Sequence, residues 1–347
     1  MNVRPPDPLA RPARRVALTG ASGFIGRYCA PALAGGGRQL TLLQRAATAG
    51  PEGAPVAGAA VVGAPVAGAR VVAIGDLADA ATASGEKLVN ALRGCEALVH
   101  LAGRAHRAIG DEAEALALYR AHNTLPTLAL ARAAAAAGVR QMIFASTSYV
   151  HGHVTRPGQP FSSDSPLAPS GAYAISKADA EEGLRRLAPE LGLAVSIVRP
   201  AVVHGPHPTA NIRALLGAVR RGLPLPFAAI DNRRSFLGLE NLTAFIAHAL
   251  DNPPAPGAVD AWTLADAQTP STPEFVRLLG AAAGRKPRLV AFPPLLLRRA
   301  LTMAGRAGMA ESLIDSFEID ISPVLARSGW TPPLTLAEGL RRMAMAD

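Results

Sequence analysis

Two side chains, Tyr173 and Lys177, combine residue types and a spacing that suit acid–base chemistry. They are four residues apart in a stretch predicted to be helical, so both lie on one helix face. A tyrosine with an ordinary pKa of about 10 is a poor acid–base group at neutral pH, but a nearby ammonium stabilises its phenolate form. The pair is therefore expected to give or take a proton. The spacing alone is not specific, because a half-buried tyrosine beside a solvated lysine also produces it.

A glycine-rich turn near the start of the chain is suited to binding phosphate. The apolar run Val16–Leu18 predicts a buried strand, after which Gly20, Gly23 and Gly26 lead into a helix. The first glycine allows a tight turn, the second lets the backbone approach a pyrophosphate, and the third lets the helix pack on the strand. The helix N-terminus adds N–H groups and the positive end of its dipole. The strand and helix on either side favour a dinucleotide site over chance spacing.

The end of the second predicted strand, Gln39–Leu43, bears on the type of dinucleotide. NAD-preferring folds usually carry an acidic residue there for the ribose 2′-hydroxyl, whereas an arginine accommodates the 2′-phosphate of NADP. This chain has Gln44 and Arg45 at those positions. The pair favours NADP, with NAD as the alternative if Arg45 is only a solvated loop cation.

A third strand is predicted at Arg70–Ile74 and is followed by Asp76. Ligands bind at the carboxyl ends of strands in open α/β sheets, so Asp76 is placed on the ligand side. The preceding residues contain a short duplication, in which Ala54–Val62 recurs as Ala64–Val72. Two copies of ten residues are too few for a solenoid, so this segment is interpreted as a local insertion.

The alternation of strands and helices predicts an α/β fold with a doubly wound parallel Rossmann sheet. Residues 14–200 are assigned to this domain, to which segments near 235–264 are expected to return. Residues 201–347 lose the regular alternation and are assigned mainly to a smaller α/β substrate domain, and residues 1–13 to a flexible tail. Further strands are predicted at 97–101, 141–145 and 194–198, and long helices at 112–137, with a kink at Pro126, and 172–188.

Composition and charge restrict the function classes. The chain has 347 residues, a net charge of +9 and 4% aromatic residues, so it suits anionic ligands but lacks the stacking platforms of nucleic-acid binders. Only Cys29 and Cys95 are present, which favours a reducing cytoplasm over a disulfide framework. No integral membrane segment is predicted. The apolar stretch Leu289–Leu301 is interpreted as a core-facing helix, with a membrane-proximal or partner-binding surface as the alternative.

Seven separated motifs together resemble the extended short-chain dehydrogenase/reductase family, also called the NAD-dependent epimerase/dehydratase family. The resemblance covers nearly the whole chain, and the motifs agree with the family in order and spacing. They are Thr19–Gly26, Gly75–Leu77, His100–Gly103, Asn123, Ala145–Gly152, Tyr173–Lys177 and Arg199–Pro200.

The resemblance implies a role for individual residues. Tyr173 matches the family's catalytic tyrosine, Lys177 the lysine that holds the nicotinamide ribose, and Thr147 the catalytic serine or threonine. Asn123 matches a catalytic helix asparagine, although Pro126 replaces the usual glycine after it and puts its geometry in doubt. The implied cofactor-binding residues are Gly20, Ser22, Gly23, Phe24, Ile25, Gly26, Arg45, Asp76, Leu77, Leu101, Ala102, Gly103, Lys177, Pro200 and Val203.

The second half is similar to enzymes that modify nucleotide sugars for surface polysaccharides. The similar stretches look like those of bacterial UDP-4-keto-6-deoxy-N-acetylglucosamine 4-reductases, which make UDP-N-acetylquinovosamine for O-antigen. Asn211 and Arg234 match positions that hold the nucleotide in such enzymes, and a guanidinium suits phosphate oxygens. The implied substrate-binding residues are Thr147, Tyr173, Asn211 and Arg234.

The leading hypothesis is therefore reduction of a UDP-sugar 4-ketone by NADPH, without a metal. A UDP-hexose 4-epimerase with retained NAD is the first alternative, and a non-catalytic NADP-binding sensor is the second. A dehydratase is less favoured, because no acidic pair accompanies Thr147. By analogy with relatives, the two long helices are expected to pair in a homodimer.

Overall fold

The computed structural model describes residues 14–45, 59–61, 64–66, 68–80, 85–105, 111–208 and 210–346. The chain forms two compact units. The first, unit 1, comprises residues 1–150, 167–199 and 243–262, and the second, unit 2, comprises 151–166, 200–242 and 263–347. The predicted tail 1–13 and part of the 54–72 duplication lie outside the described residues.

The described strands follow the predicted alternation closely. In chain order they are β1 (Arg15–Thr19), β2 (Gln39–Gln44), β3 (Ala59–Val61), β4 (Ala64–Val66), β5 (Arg70–Ala73), β6 (Ala97–His100), β7 (Gln141–Ala145), β8 (Ala194–Pro200), β9 (Val202–His204), β10 (Pro224–Leu225), β11 (Phe236–Gly238), β12 (Val259–Leu264) and β13 (Arg288–Leu289).

The helices are of very different lengths, and the longest carries the Tyr–Lys pair. They are α1 (Gly26–Gly35), α2 (Leu77–Ala80), α3 (Glu86–Leu92), α4 (Glu112–Tyr119), α5 (Leu125–Ala136), α6 (Ala172–Leu191), α7 (Ala210–Arg220), α8 (Leu239–Asp251), α9 (Thr272–Ala282), α10 (Pro294–Met303), α11 (Ala307–Ile314), α12 (Ser322–Ser328) and α13 (Leu336–Ala346). No helix in the described part of the chain has both the length and the apolar character needed to cross a bilayer.

The main sheet has seven parallel strands among the described residues, in the order β12-β8-β7-β6-β1-β2-β5. The order reverses on either side of β1, which confirms the predicted doubly wound α/β fold. Its central strands are buried on both faces, as is typical of parallel sheets covered by helices. In β6, for example, the whole run Ala97–His100 is buried.

The core of unit 1 lies between this sheet and its helices. Apolar side chains of β6, β7 and β8 pack there against α3, α5 and α6, including Leu98, Phe144, Ile197, Leu130 and Leu184. This burial explains why these strands are nearly continuous apolar runs. The residues that follow each run therefore lie at the carboxyl end of its strand.

Unit 2 contains smaller elements around separate apolar clusters. The rings of Phe236 in β11 and Phe275 in α9 stack with centroids 4.0 Å apart. A second cluster joins Val276 of α9 to Leu297 of α10. Short parallel pairs, β9 with β11 and β10 with β13, complete this unit.

The predicted helix over 112–137 is interrupted in a specific way. Residues Arg120–Thr124 form a π-helical turn between α4 and α5, closed by a hydrogen bond from Leu125 N–H to Arg120 O. Pro126 stands in the first turn of α5, where its missing N–H and bulky ring disrupt the α-helical pattern of the preceding turn. The proline therefore acts on the turn before it, which contains Asn123.

Candidate active site

The glycine turn between β1 and α1 has the geometry of a phosphate cradle. Gly20 adopts φ +74°, and a Cβ built on it would lie 2.5 Å from the backbone N of Ala102. A Cβ on Gly26 would lie 2.0 Å from Gly20 O, so no other residue fits at either position without rearrangement. No acidic residue stands in the first turn of α1 to oppose an anion there. Within this turn Ser22 and Gly23 are exposed, and Phe24 and Ile25 are partly buried.

The carboxyl ends of β2 and β5 bring two predicted cofactor residues together. Arg45, which follows β2, has a side chain that is 84% exposed, and its Nη1 is 3.9 Å from Asp76 Oδ2. Asp76 follows β5 and accepts a hydrogen bond from Ala78 N at 2.9 Å, which orients the carboxylate at the start of α2 beside Leu77. Arg45 is therefore available to an anionic ligand and is weakly paired with the neighbouring acid.

The loop after β6, which begins with Leu101, Ala102 and Gly103, is held close to the centre of the site. Leu101 N donates to the backbone oxygen of Thr19 at 3.3 Å. Ala102 N donates to Oγ1 of the same residue at 3.4 Å. A Cβ on Gly103 would lie 3.3 Å from both Asn123 Oδ1 and Lys177 Nζ. Glycine at this position therefore lets three predicted site residues approach one another.

Asn123 is fixed by hydrogen bonds on both sides of its amide. Its Oδ1 accepts from Arg104 N at 2.7 Å, and its Nδ2 donates to Arg104 O at 3.1 Å and to Ser176 Oγ at 3.0 Å. The side chain is 1% exposed. The residue thus ties the loop after β6 to α6, and the substitution at Pro126 leaves it within the site.

A buried hydrogen-bond chain supports Asn123 from the other side. Thr127 Oγ1 donates to Asn123 O at 2.6 Å, so it accepts from His100 Nε2, 3.1 Å away. His100 Nδ1 then accepts from Thr19 Oγ1 at 2.6 Å. Burial, with the Lys177 charge adding to it, lowers the pKa of His100 to about 3, so this histidine is a neutral structural link.

Thr147 lies just beyond β7, as the motif matching requires. It is 6% exposed, and its Oγ1 is 3.3 Å from the backbone N–H of Tyr149, from which it accepts. The hydroxyl proton is directed elsewhere, because this bond uses Thr147 as an acceptor. Thr147 can therefore donate a hydrogen bond to a substrate oxygen.

Lys177 is buried, and its ammonium has defined partners. The Nζ atom donates to Ala145 O at 2.8 Å and stands 4.6 Å from the centroid of the Phe144 ring. Burial lowers the pKa of Lys177 to about 8, and the Glu181 carboxylate acts in the opposite direction. The amine therefore remains mostly charged at neutral pH, held at the carboxyl end of β7.

The expectation that Lys177 would bring the Tyr173 pKa down is wrong for this structure. Burial raises the pKa of Tyr173 to about 12, with further increases from the nearby Tyr119 and Tyr149. The ring of Tyr119 packs edge-on against that of Tyr173, with centroids 5.9 Å apart. The Lys177 amine is directed to Ala145 O instead, so Tyr173 keeps its proton at neutral pH.

Sequence reasoning missed a buried ion pair beside the Tyr–Lys pair. Arg199 Nη2 is 2.6 Å from Glu181 Oε2, and its Nε donates to both carboxylate oxygens at 3.1 Å. Ser146 Oγ donates to Glu181 Oε1 at 2.5 Å. A signal was present, since Glu181 continues the four-residue spacing of Tyr173 and Lys177 on α6. The network connects α6, the end of β7 and β8.

The remaining predicted residues stand at the end of β8 or in unit 2. Pro200 is the last residue of β8, and Val203 pairs with Leu237 between β9 and β11. Asn211 is exposed in the first turn of α7. Arg234 is 4% exposed, and its Nη1 donates to Asp315 O at 3.2 Å, next to the end of α11.

The fold and these side chains define a Rossmann-type α/β protein with a phosphate cradle and a tyrosine–lysine pair on α6, in which Tyr173 is half-buried and Lys177 is buried. The chain belongs to the NAD dependent epimerase/dehydratase family, whose profile matches residues 16–264. This finding confirms the family expected from the motifs.

Known relatives agree with this assignment. Over 256 residues the chain is 36% identical to a UDP-glucose 4-epimerase of Vibrio cholerae, covering 74% of this chain and 77% of that protein. The UDP-N-acetylglucosamine 4-epimerase from Bacillus cereus has a similar fold, with a TM-score of 0.72, 17% identity and coverage of 96% and 99% of the two chains. DesIV, a dTDP-glucose 4,6-dehydratase from Streptomyces venezuelae, gives a TM-score of 0.69, 23% identity and 96% coverage of both chains.

Proposed function

We propose that this protein reduces the C4 ketone of a UDP-linked 4-keto-6-deoxy sugar with NADPH. The observation that carries the proposal is geometric: Tyr173 and Lys177 lie one turn apart on α6, and the Lys177 amine donates to Ala145 O at the end of β7, close in sequence to the buried Thr147. The raised pKa of Tyr173 agrees with a proton donor. A reductase needs a proton donor at the carbonyl oxygen, whereas an epimerase must first remove a proton from a hydroxyl. The family, whose members named above act on nucleotide sugars, supports the substrate class.

The residues of unit 1 fit a nicotinamide dinucleotide. The steric limits at Gly20 and Gly26 preserve a turn whose backbone can approach a pyrophosphate. Arg45 suits the 2′-phosphate that distinguishes NADP, because its guanidinium is exposed and its ion pair with Asp76 is long. The solved relative DesIV contains NAD, so NAD is the alternative dinucleotide for this chain.

The proposed chemistry divides between three side chains. A bound reduced nicotinamide would supply the hydride. Tyr173 donates its phenolic proton to the oxygen that gains negative charge, and Thr147 donates a hydrogen bond to the same oxygen. The Lys177 ammonium contributes positive charge at the carboxyl end of β7 and a donor for the nicotinamide ribose.

The nucleotide part of the substrate is assigned to unit 2. Arg234 has an almost fully buried side chain whose orientation is fixed by Asp315 O, and a guanidinium with a fixed orientation can pair with phosphate oxygens. Asn211 is exposed at the start of α7 and is proposed to contact the diphosphate. We assign the product to surface polysaccharide synthesis on the resemblance, drawn from sequence motifs alone, between the second half of the chain and the O-antigen 4-reductases.

A UDP-hexose 4-epimerase with retained NAD is the second candidate. The 36% identity to the Vibrio cholerae epimerase favours it. Such an enzyme would need Tyr173 to act as a base in its first half-reaction and as an acid in its second. The exposed Arg45 also favours an exchangeable NADPH over a retained NAD.

The test mixes the purified full-length protein with UDP-4-keto-6-deoxy-N-acetylglucosamine and either NADPH or NADH. We expect stoichiometric loss of the reduced nicotinamide absorbance and a product reduced at C4. Tyr173→Phe should lower kcat by about 10²- to 10⁴-fold, the usual contribution of a positioned proton donor. Tyr119→Phe, which changes the adjacent buried tyrosine, is the matched control and should retain activity.

Other results would contradict the reductase. Conversion of UDP-glucose to UDP-galactose, with NAD copurifying and no consumption of NADPH, would establish the epimerase. Tight NADPH binding without turnover of either substrate would establish the NADP-binding sensor.

A further inference from the structure

Unit 2 contains a strongly basic stretch that the proposed reaction does not use. Between Glu274 and Glu311 the sequence has no acidic residue. The part of this stretch from residue 285 to residue 306, called here the basic–apolar segment, includes β13 and α10. Its six cations are Arg285, Lys286, Arg288, Arg298, Arg299 and Arg306, of which Arg298 is paired with Asp315.

The same segment exposes large apolar side chains. Leu295 is 75% exposed and Met303 is 84% exposed, on the first and last turns of α10. Three more are 38 to 49% exposed: Leu296 in the helix, and Val290 and Phe292 before it. Scattered exposed apolar residues are normal in proteins, but several large ones concentrated in one short segment favour an interaction surface.

The α10 helix is apolar on two sides, and the core of unit 2 accounts for one of them. Leu297 is buried in the cluster that includes Val276. On the other side Leu296, Arg299 and Met303 recur at intervals of three and four residues, so they share one exposed helix face. This face therefore combines two long apolar side chains with a central guanidinium.

An open basic groove is formed by residues that precede α10 in the sequence. It is lined by Arg277 of α9, by Arg285 and Lys286, which lead into β13, and by Gly280 and Gly284. The three cations are exposed. Their arrangement suits a phosphate group, because guanidinium and ammonium groups form charge-assisted hydrogen bonds with its oxygens.

We propose that the basic–apolar segment docks this protein on an anionic lipid bilayer. Leu295, Leu296 and Met303 would enter the boundary between headgroups and acyl chains, while Arg299 extends to the lipid phosphates. The cations of the groove would add electrostatic attraction to anionic headgroups. A bilayer explains both properties of the segment, because it places an anionic layer directly above an apolar one.

Two other occupants fit less well. In a two-fold dimer the same patch faces itself, so a second copy would bring the cations of one segment against those of the other. An acidic protein would satisfy the cations but would not account for the exposure of Leu295 and Met303 at the ends of one helix. Both are nonetheless distinguishable outcomes of the test.

The test measures cosedimentation of the full-length protein with vesicles of phosphatidylcholine, alone or mixed with phosphatidylglycerol. We expect binding to the mixed vesicles that weakens with added salt, and little binding to neutral ones. Arg288→Glu/Arg299→Glu should reduce the partition coefficient by more than about tenfold, since each cation near the surface contributes about fivefold. Leu295→Ser/Met303→Ser should reduce it by at least about tenfold.

Matched controls come from exposed residues elsewhere. Met345 is 87% exposed on α13, and Arg93 is exposed at the end of α3, so Met345→Ser and Arg93→Glu should bind vesicles like the parent protein. Circular dichroism and the melting temperature should be unchanged in all four variants, because every replaced side chain is exposed.

Three results would overturn the proposal. The first is equal binding to neutral and anionic vesicles, or no binding. The second is a parent dimer that Leu295→Ser/Met303→Ser converts to a monomer in light scattering, which would assign the face to a second copy. The third is tight binding to polyaspartate, lost in Arg288→Glu/Arg299→Glu, without binding to vesicles, which would assign it to an acidic protein.

Discussion

Replacing Glu181 with glutamine should destabilise unit 1 far more than its conservative shape suggests. Glu181 is 0% exposed and Arg199 is 2% exposed, so neither charge is solvated. The carboxylate receives two N–H groups of Arg199, at 2.6 to 3.1 Å, and the hydroxyl of Ser146 at 2.5 Å. Glutamine keeps the volume but removes the negative charge that pairs with the buried guanidinium.

The expected magnitude follows from this burial. Removing one partner of a buried ion pair costs about 3–5 kcal/mol, chiefly because the other charge remains buried and unpaired. The lost charge-assisted hydrogen bonds are part of that figure and are not added to it. The adjacent Glu182 provides a matched control, since it is 3.7 Å from Arg186 and both side chains are more than 60% exposed. Glu182→Gln should therefore change stability by less than about 0.5 kcal/mol.

The two tryptophans allow the effect to be assigned to a unit. Trp262 belongs to unit 1 and Trp330 to unit 2. In a Trp330→Phe background, urea unfolding followed by Trp262 fluorescence should show the loss for Glu181→Gln. In a Trp262→Phe background, the transition reported by Trp330 should move less if the two units unfold separately.

A double replacement separates the role of the charge from that of packing. Glu181→Leu/Arg199→Met removes both charges and should recover most of the stability lost in Glu181→Gln, because well-packed apolar residues often replace buried ion pairs without loss. The reasoning is refuted if Glu181→Gln costs less than about 1 kcal/mol, or if it is no more harmful than Glu182→Gln.

Three further predictions concern the same unit. Because the Lys177 pKa of about 8 lies below its ordinary 10.5, the unfolded chain binds more protons at this residue between these values. From pH 8 to 10.5 the free energy of unfolding of the parent protein should therefore rise relative to that of Lys177→Met. The kcat of the reductase should fall above about pH 8, as the ammonium of Lys177 is lost. In Glu181→Gln this fall should begin at a lower pH, because the carboxylate raises the Lys177 pKa. Gly20→Ala should abolish NADPH binding in a fluorescence titration and cost at least about 2 kcal/mol, because its Cβ would meet Ala102 N at 2.5 Å. Gly37 has φ +83° and no atom within 4 Å of a built Cβ, so Gly37→Ala should cost about 1 kcal/mol and retain binding.

Local patterns were enough to predict the sheet and the positions of several site residues. Strands such as Gln141–Ala145 are short apolar runs bounded by turn residues, and parallel strands place their carboxyl ends at one edge. The spacing of Tyr173 and Lys177 likewise follows from helix geometry alone. These features depend on neighbouring residues, which is why the sequence reveals them.

Contacts between distant segments could not be read in the same way. The hydrogen bonds of Asn123 with Arg104 depend on where the π-helical turn places the amide, and the turn itself results from Pro126. The pairing of Glu181 with Arg199 requires the packing of α6 on β8, which residue spacing does not specify.

The direction of the Tyr173 pKa shift was mispredicted for a related reason. Four-residue spacing places Lys177 on the same helix face, but it does not say which acceptor the ammonium finds. In the folded chain the nearest acceptor is Ala145 O, so the ammonium serves the end of β7 and burial dominates at Tyr173. Only the tertiary structure decides between these two outcomes.

The net charge of the buried groups favours a reaction in which a bound oxygen gains negative charge. Lys177 and Arg199 carry two positive charges, Glu181 carries one negative charge, and His100 is neutral because its pKa is about 3. The carboxylate pairs with Arg199 and also acts on Lys177, so these buried groups together keep a net positive charge. Fixed positive charge in a poorly solvated site stabilises negative charge that develops on a bound oxygen. A ketone gains such charge during reduction, and Tyr173 still holds the proton that would neutralise it.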